Sequence, residues 1–171
     1  MPELANDLAL SKKIQSVKAS GIRIFDNKVS TIPGIIKLTL GEPDMNTPEH
    51  VKTAAIESIR NNDSHYAPQK GKLELRQAIS NYLKKASGVV YDPETEIVVT
   101  VGATEAINAT LFSITNRGDK VAIPTPVFSL YWPVATLADA DYVLMNTSED
   151  NFKLTPERLE STLKEESNLS L

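Results

Sequence analysis

Apolar residues recur first at helical spacing and later in short blocks set between turn-rich stretches. From Asp7 to Ser30, Ile14, Val17, Ile22 and Phe25 stand three to five residues apart, with Gly21 interrupting. That spacing predicts a polar amphipathic helix or arm. Thr31-Ile32-Pro33-Gly34 breaks it, and Ile35 to Leu40 reads as a short extended run ending in the turn Gly41-Glu42-Pro43-Asp44. A helix is predicted next, with Thr47 as N-cap, Pro48 at the first helical position and Glu49 in the first turn. Its expected buried stripe is Val51, Ala55 and Ile59 with Ala54 and Ile56. After a polar stretch punctuated by Tyr66, Pro68 and Gly71 comes a second helix, with Leu75, Ala78, Ile79, Tyr82 and Leu83 on one side. Lys84 and Lys85 suit the negative end of its dipole, and Gly88 ends it.

Beyond the turn Tyr91-Asp92-Pro93 the pattern alternates. Strands are predicted at Glu96–Val101, Lys120–Pro124 and Asp141–Asn146, and helices at Ala103–Asn116, Phe128–Ala138 and from Thr155-Pro156-Glu157 to about Glu166. Alternation at this spacing indicates an α/β fold with parallel strands. Three strands make a thin sheet, because parallel sheets have both faces covered and usually more strands. The chain also stops at Asn168-Leu169-Ser170-Leu171, soon after a helix and where another strand is expected. It reads as a piece of something larger.

The 171 residues are 41% hydrophobic and 23% charged, so disorder and fibrous repeats are excluded as classes. Eighteen Lys and Arg against 22 Asp and Glu give a net charge of −4, which offers nothing to nucleic acid or an anionic membrane. Cysteine is absent, which removes disulfides, thiolate catalysis and cysteine-bound metals, and two histidines, His50 and His65, argue against a histidine-built metal site. No signal peptide is visible in the first 20 residues, and no run approaches the roughly 18 apolar residues of a membrane span. A soluble cytoplasmic protein is expected.

The candidate chemistry lies at two strand ends and in two loops. In Val99-Thr100-Val101-Gly102-Ala103-Thr104-Glu105 a β-branched run ends in glycine and a helix of small residues starts at once. First-turn amides have no intrahelical acceptor, so an anion can approach Gly102 and Ala103, and Thr104 adds a hydroxyl. Each charge-assisted bond to a phosphate is worth about 1.5–3 kcal/mol. The alternative is plain tight packing at a strand-to-helix junction. Phe128, after the second strand in Pro124-Thr125-Pro126-Val127-Phe128, either presents a flat face to a planar ring or anchors the next helix in the core. Gly41 brings backbone close to a ligand or simply makes a turn. Tyr66 is a phosphate-binding hydroxyl or a half-buried aromatic. Trp132 reads as packing, and His50 and His65 as surface residues.

Taken together these strings resemble a known family. Leu38-Thr39-Leu40-Gly41-Glu42-Pro43-Asp44 with Thr47-Pro48 is similar to the opening of fold-type I pyridoxal-phosphate aminotransferases of the aspartate aminotransferase class. So are Tyr66-Ala67-Pro68 with Gly71 and Leu75-Arg76-Gln77-Ala78-Ile79, Val99 to Ala106, and Gly118-Asp119-Lys120-Val121 with Pro124-Thr125-Pro126. Ile22-Arg23, Phe25-Asp26 and Ser64-His65-Tyr66 look closest to bacterial aromatic amino acid aminotransferases, with acetyl-diaminopimelate aminotransferases next. The resemblance implies pyridoxal 5'-phosphate as cofactor, amino acid and 2-oxo acid as substrates, and a homodimer. It implies that Gly102, Ala103 and Thr104 hold the cofactor phosphate and Phe128 stacks on its ring. Gly41 would lie against the substrate carboxylate, and Tyr66 would reach the phosphate of the partner subunit. Many relatives carry Trp or Tyr where this chain has Phe128, which keeps the stacking face and drops a polar group.

The resemblance also implies absences. Family members are more than twice as long, and their Schiff-base lysine, pyridine-binding aspartate and carboxylate-binding arginine lie beyond the equivalent of Leu171. No lysine here sits in a comparable serine-rich motif, so no catalytic residue is expected in this chain. Residues 1–45 correspond to an N-terminal arm and small-domain segment, and 46–171 to part of the large cofactor domain. In the family sheet the Glu96–Val101 strand is separated from the next two by strands supplied later. An incomplete sheet is therefore expected, with rearranged pairing or self-association as the response. Stacking plus a few phosphate bonds, less the cost of association, gives millimolar cofactor binding at best. A carbon–sulfur lyase, or a fragment that only binds phosphate weakly, is the alternative.

Overall fold

The computed structural model describes residues 10–17 and 20–165; the start of the expected arm at Asp7, the expected helix end at Glu166 and the Asn168–Leu171 stretch lie outside them. The chain divides into two compact units, one of Leu40–Val101 and one of Met1–Thr39 with Gly102–Leu171.

The discontinuous unit opens with α1 (Lys12–Ser16) and α2 (Gly21–Val29), so the polar arm is two short helices broken before Gly21. The Ser11 hydroxyl caps α1 by accepting from the Ile14 amide at 3.3 Å. Asp26, only 8% exposed, fastens the segment after α2. The Thr39 hydroxyl donates to its Oδ1, and the Lys37 ammonium lies 3.5 Å from the same oxygen. The run Ile35 to Leu40, expected to be extended, enters no sheet. Its polar side chains turn to Asp26, leaving Ile36 85% and Leu38 92% exposed.

In the Leu40–Val101 unit, α3 (Glu49–Arg60) is capped by Pro48, not by the expected Thr47. Pro48 has ψ 144°, outside the helical well, while its carbonyl accepts from Val51 and Lys52. The expected buried stripe is not buried: Ile59 is 72% exposed, and Val51 and Ile56 are nearly half exposed. Apolar periodicity identifies the face a helix offers, not whether a neighbour covers it. Helix α4 (Leu73–Ser87) ends at Gly88, as expected, in the left-handed conformation with its amide on the Lys84 carbonyl. Its inner face is rotated from the expected one. Arg76 and Ser80 are buried and Leu73, Ile79 and Leu83 half-buried, whereas Leu75 and Tyr82 are exposed. The buried polar residues reach loop carbonyls: Ser80 Oγ donates to Tyr91 O at 2.5 Å, and Arg76 grips Gly71 O and Pro93 O.

The Glu96–Val101 run, expected as a strand, takes no part in the sheet. A strand needs a partner ladder as well as β-branched residues. Here Ile97 is buried and the Val99 amide bonds Lys70 O at 3.0 Å.

Helix α5 (Gly102–Ile114) starts at the next residue, and then β1 (Lys120–Thr125), α6 (Tyr131–Leu137) and β2 (Asp141–Asn146) complete an α/β unit. Among the described residues the sheet has two strands, parallel and in continuous register from Lys120–Asp141 to Thr125–Asn146. The two later strands thus pair with each other, and the pairing is not rearranged onto the 96–101 run. The Thr125–Pro126 peptide is cis, and α6 starts three residues later than predicted, leaving Phe128 in a loop. Ile123 and Met145 from the sheet, Val134 and Ala135 from α6, and Ala140 form the core, each 5% exposed or less. Lys13 of α1 reaches back to Asp139 at 2.5 Å. The last helix, α7 (Pro156–Glu165), is capped by Thr155, whose hydroxyl accepts from the Arg158 amide at 3.2 Å. Arg158 bridges Asp150 at 2.7 Å and Glu149 at 3.0 Å, and those two carboxylates raise its pKa further.

Candidate functional site

Gly102 is the first residue of α5 and has φ +79°, a region that costs an L-residue about 1–2 kcal/mol. A Cβ placed there meets nothing within 4 Å, so the demand for glycine is conformational rather than spatial. Gly102, Ala103 and Thr104 are all exposed. One turn on, the Asn108 amide donates to Thr104 O at 2.8 Å, a bond that leaves the Thr104 hydroxyl group to other partners. A helix start of this kind, with small side chains and positive dipole, accommodates a phosphate dianion.

Phe128 stands three residues beyond the end of β1 and is 62% exposed, so it does not anchor α6 in the core. Val134 and Ala135 do that. An exposed flat ring at a strand end fits a planar aromatic ligand. An apolar cavity of about 550 Å³ lies between α5 and β1, lined by Ala106, Ile107, Leu111, Val121 and Ile123 among others. Its α5 wall starts at Ala106, beyond the 102–104 turn, so it is a packing face rather than a phosphate seat.

Gly102 to Thr104 and Phe128 belong to the discontinuous unit, while Tyr66 and Gly41 belong to the Leu40–Val101 unit. Tyr66 is fully exposed rather than half-buried. Its loop is tied at the base. The Lys72 ammonium pairs with Asp63, Ser58 Oγ donates to the same carboxylate at 3.2 Å, and Gly71 N bonds Pro68 O at 2.8 Å. The Lys72 bond, then the Ser58 bond, hold the Asp63 carboxyl below the usual aspartate range. Gly41 sits in the turn with open space where a Cβ would be, and Glu42 N bonds Leu40 O at 3.2 Å. His50 and His65 are exposed, and among the described residues no group of side chains is arranged to hold a metal ion. No helix of the described residues is long and apolar enough to cross a membrane.

Sequence reading missed two anchoring side chains, Asp26 and Arg76. Both lie on apolar-looking helix faces, and their partners are a distant hydroxyl and two loop carbonyls, which leave no periodic trace.

Comparison with known proteins places this geometry. The family Aminotransferase class I and II matches residues 33–171. A probable N-acetyl-LL-diaminopimelate aminotransferase of Bacillus subtilis is 42% identical over 90% of this chain and 39% of its own length. Aromatic-amino-acid aminotransferase 2 of Thermococcus litoralis is 40% identical over 90% of this chain and 40% of its own length. The solved aspartate aminotransferase of Thermus thermophilus with maleate superposes with a TM-score of 0.81 at 32% identity, over 89% of this chain and 41% of that one. The chain belongs to the class I and II aminotransferase family and has the aspartate aminotransferase-like fold of its pyridoxal-phosphate-dependent members. It spans about 40% of the length of these relatives.

Proposed function

We propose that this chain is the phosphate-holding N-terminal part of a cytoplasmic, homodimeric pyridoxal-phosphate aminotransferase. The complete protein would move an amino group between an amino acid, aromatic by preference, and a 2-oxo acid. Residues 1–45 would form its arm and small-domain segment, and 46–171 part of the cofactor domain.

The residues present fit the cofactor. The amides of the Gly102–Thr104 turn and the Thr104 hydroxyl would donate to the phosphate, and the Phe128 ring would offer its flat face to the pyridine. Tyr66 would donate its hydroxyl to the phosphate held by the other subunit, and the backbone at Gly41 would pack against the substrate carboxylate. Bound there, pyridoxal phosphate supplies an electron sink for the carbon that bears the amino group. The chain's own residues bind and orient. None of Gly102, Ala103, Thr104 or Phe128 has a group that takes up a proton near neutral pH, so proton transfer would need a group outside these residues, which the family resemblance makes a lysine. The isolated chain is accordingly expected to be inactive.

The observation that carries this reading is the left-handed Gly102 opening an exposed first turn of α5. The test is to titrate pyridoxal phosphate into the 171-residue chain and into the full-length gene product, following the yellow absorbance and amino-group transfer. Millimolar binding without turnover by the chain, and tight binding with turnover by the full-length protein, are expected. Turnover by the chain alone would overturn the division of labour. Pyruvate and ammonia as products, in place of a new amino acid and keto acid, would make it a carbon–sulfur lyase instead. A second substrate reading, an acylated diaminopimelate, is supported by the 42% identity to the Bacillus subtilis relative, and paired assays with aromatic and acylated diamino acids decide between them.

A further inference from the structure

Arg76 is the most buried cation of the described residues, 8% exposed. A charge so placed is costly to desolvate, and an arginine in such a site normally faces a carboxylate. Its hydrogen-bond acceptors here are backbone carbonyls, and the nearby Asp92 carboxylate feels its charge without bonding to it. Nε donates to Gly71 O at 3.2 Å, and Nη1 donates to Pro93 O. These two carbonyls belong to separate loops, 22 residues apart in sequence, and the planar fork of one guanidinium spans both.

The first of these loops carries a residue of the proposed phosphate contact. Gly71 ends the loop that displays Tyr66, and its amide bonds Pro68 O. Pro93 opens the turn into the Ile97–Val101 run. The two segments also touch directly. Lys70 O accepts from Val99 N at 3.0 Å, and Gly71 packs against Val99 so closely that a Cβ would come within 2.7 Å. Arg76 thus closes a three-way contact among α4, the Tyr66 loop and the run before Gly102, all within the Leu40–Val101 unit.

We infer that Arg76 is a positioning residue for phosphate recognition: by gripping Gly71 O and Pro93 O it fixes the base of the Tyr66 loop within the Leu40–Val101 unit. This deepens the proposed function and rests on it. A lysine cannot replace the fork, because a single ammonium is a point donor on a flexible stem. A purely structural arginine would lower stability and weaken all ligands alike. A positioning one acts selectively on the phosphate.

The experiment compares pyridoxal 5'-phosphate with pyridoxal, which lacks the phosphate, by calorimetric titration of the full-length protein and its Arg76→Gln and Arg76→Lys variants. Wild type is expected to prefer the phosphorylated form strongly. Arg76→Gln should weaken pyridoxal phosphate about tenfold, the loss of one charge-assisted bond's worth of positioning, and leave pyridoxal within about twofold. Arg76→Lys should fall between. Wild type binding both forms equally would sink the phosphate reading itself, before any variant is consulted. A normal preference in wild type that both variants keep would overturn the role of Arg76 alone. Should Arg76→Gln fail to fold, Arg76→Lys carries the test; failure of both to fold would make Arg76 structural only and would also overturn the inference.

Discussion

Gly71 and Val99 are packed so tightly that a methyl group on Gly71 would lie 2.7 Å from the Val99 Cβ and 2.8 Å from its Cγ2. The Gly71 φ of +89° adds a second demand for glycine. The neighbouring Lys70–Val99 backbone bond holds the two segments in register.

Gly71→Ala is therefore expected to cost about 2–4 kcal/mol, combining left-handed strain with overpacking against a β-branched neighbour. Urea denaturation of wild type and variant measures it. The double variant Gly71→Ala with Val99→Gly, compared with Val99→Gly alone, removes both the Cβ and the Cγ2 that an alanine at 71 would strike, so it should recover the overpacking part and keep the conformational part. Equal stability of wild type and Gly71→Ala would mean that the close approach is not a feature of the folded protein.

Gly102→Ala provides the contrast. Its φ of +79° is as demanding, but nothing stands within 4 Å of the added Cβ. About 1–2 kcal/mol of conformational cost is expected and no neighbour substitution should relieve it. Under the proposed function the same variant displaces the first-turn amides, so affinity for pyridoxal phosphate should fall more than affinity for pyridoxal. A uniform fall would separate the turn from the phosphate.

Asp26 makes stability depend on acid pH in a stated direction. The Thr39 hydroxyl bond, ahead of the charge of Lys37, holds its carboxyl below the usual aspartate range. The ionised form is thus favoured by the fold. Its contribution is fully present above the usual aspartate range, about pH 4, and is lost as pH falls through the lowered value. Thr39→Val should raise the Asp26 pKa toward the ordinary value, read by carboxyl carbon NMR. It should also open a stability gap at pH 7 that narrows near pH 2. A gap that stays constant across that range would assign the loss to the methyl-for-hydroxyl exchange itself.

Legibility in the sequence tracked the range of the forces involved. The strands at 120 and 141 and the helices starting at 102 and 156 were readable because β-branched runs, glycine at 102 and 118 and the Thr155-Pro156 pair act within a few residues. The fate of Glu96–Val101 was not, since a β-branched run becomes a strand only when another strand lies alongside. The stripe on α3 was legible as a face but not as an exposed one, for the same reason. Phe128 shows a further limit. Its apolar character suited a helix start, whereas α6 begins only at Tyr131 and leaves Phe128 outside it and exposed. The glycine turn opening α5 was visible in Gly102-Ala103-Thr104, whereas the phosphate proposed for it came from the resemblance to a family and not from spacing.

Phe128 supports the sharpest separation of binding from stability. It is 62% exposed and the core beneath α6 is made by Val134 and Ala135, so removing the ring should change the unfolding free energy by less than about 0.5 kcal/mol. Stacking of the ring on a pyridine is worth about 0.5–1.5 kcal/mol, a factor of about two to ten in affinity. Phe128→Ala in the full-length protein should therefore weaken pyridoxal phosphate and pyridoxal by the same factor, because both carry the ring. This is the opposite of the phosphate-selective pattern expected at Gly102 and Arg76. Phe128→Tyr and Phe128→Trp keep the flat face and should bind like wild type or better, with any gain traceable to the added polar group. Phe128→Ala binding both ligands normally would remove Phe128 from the site, and a large loss of stability would return it to the core.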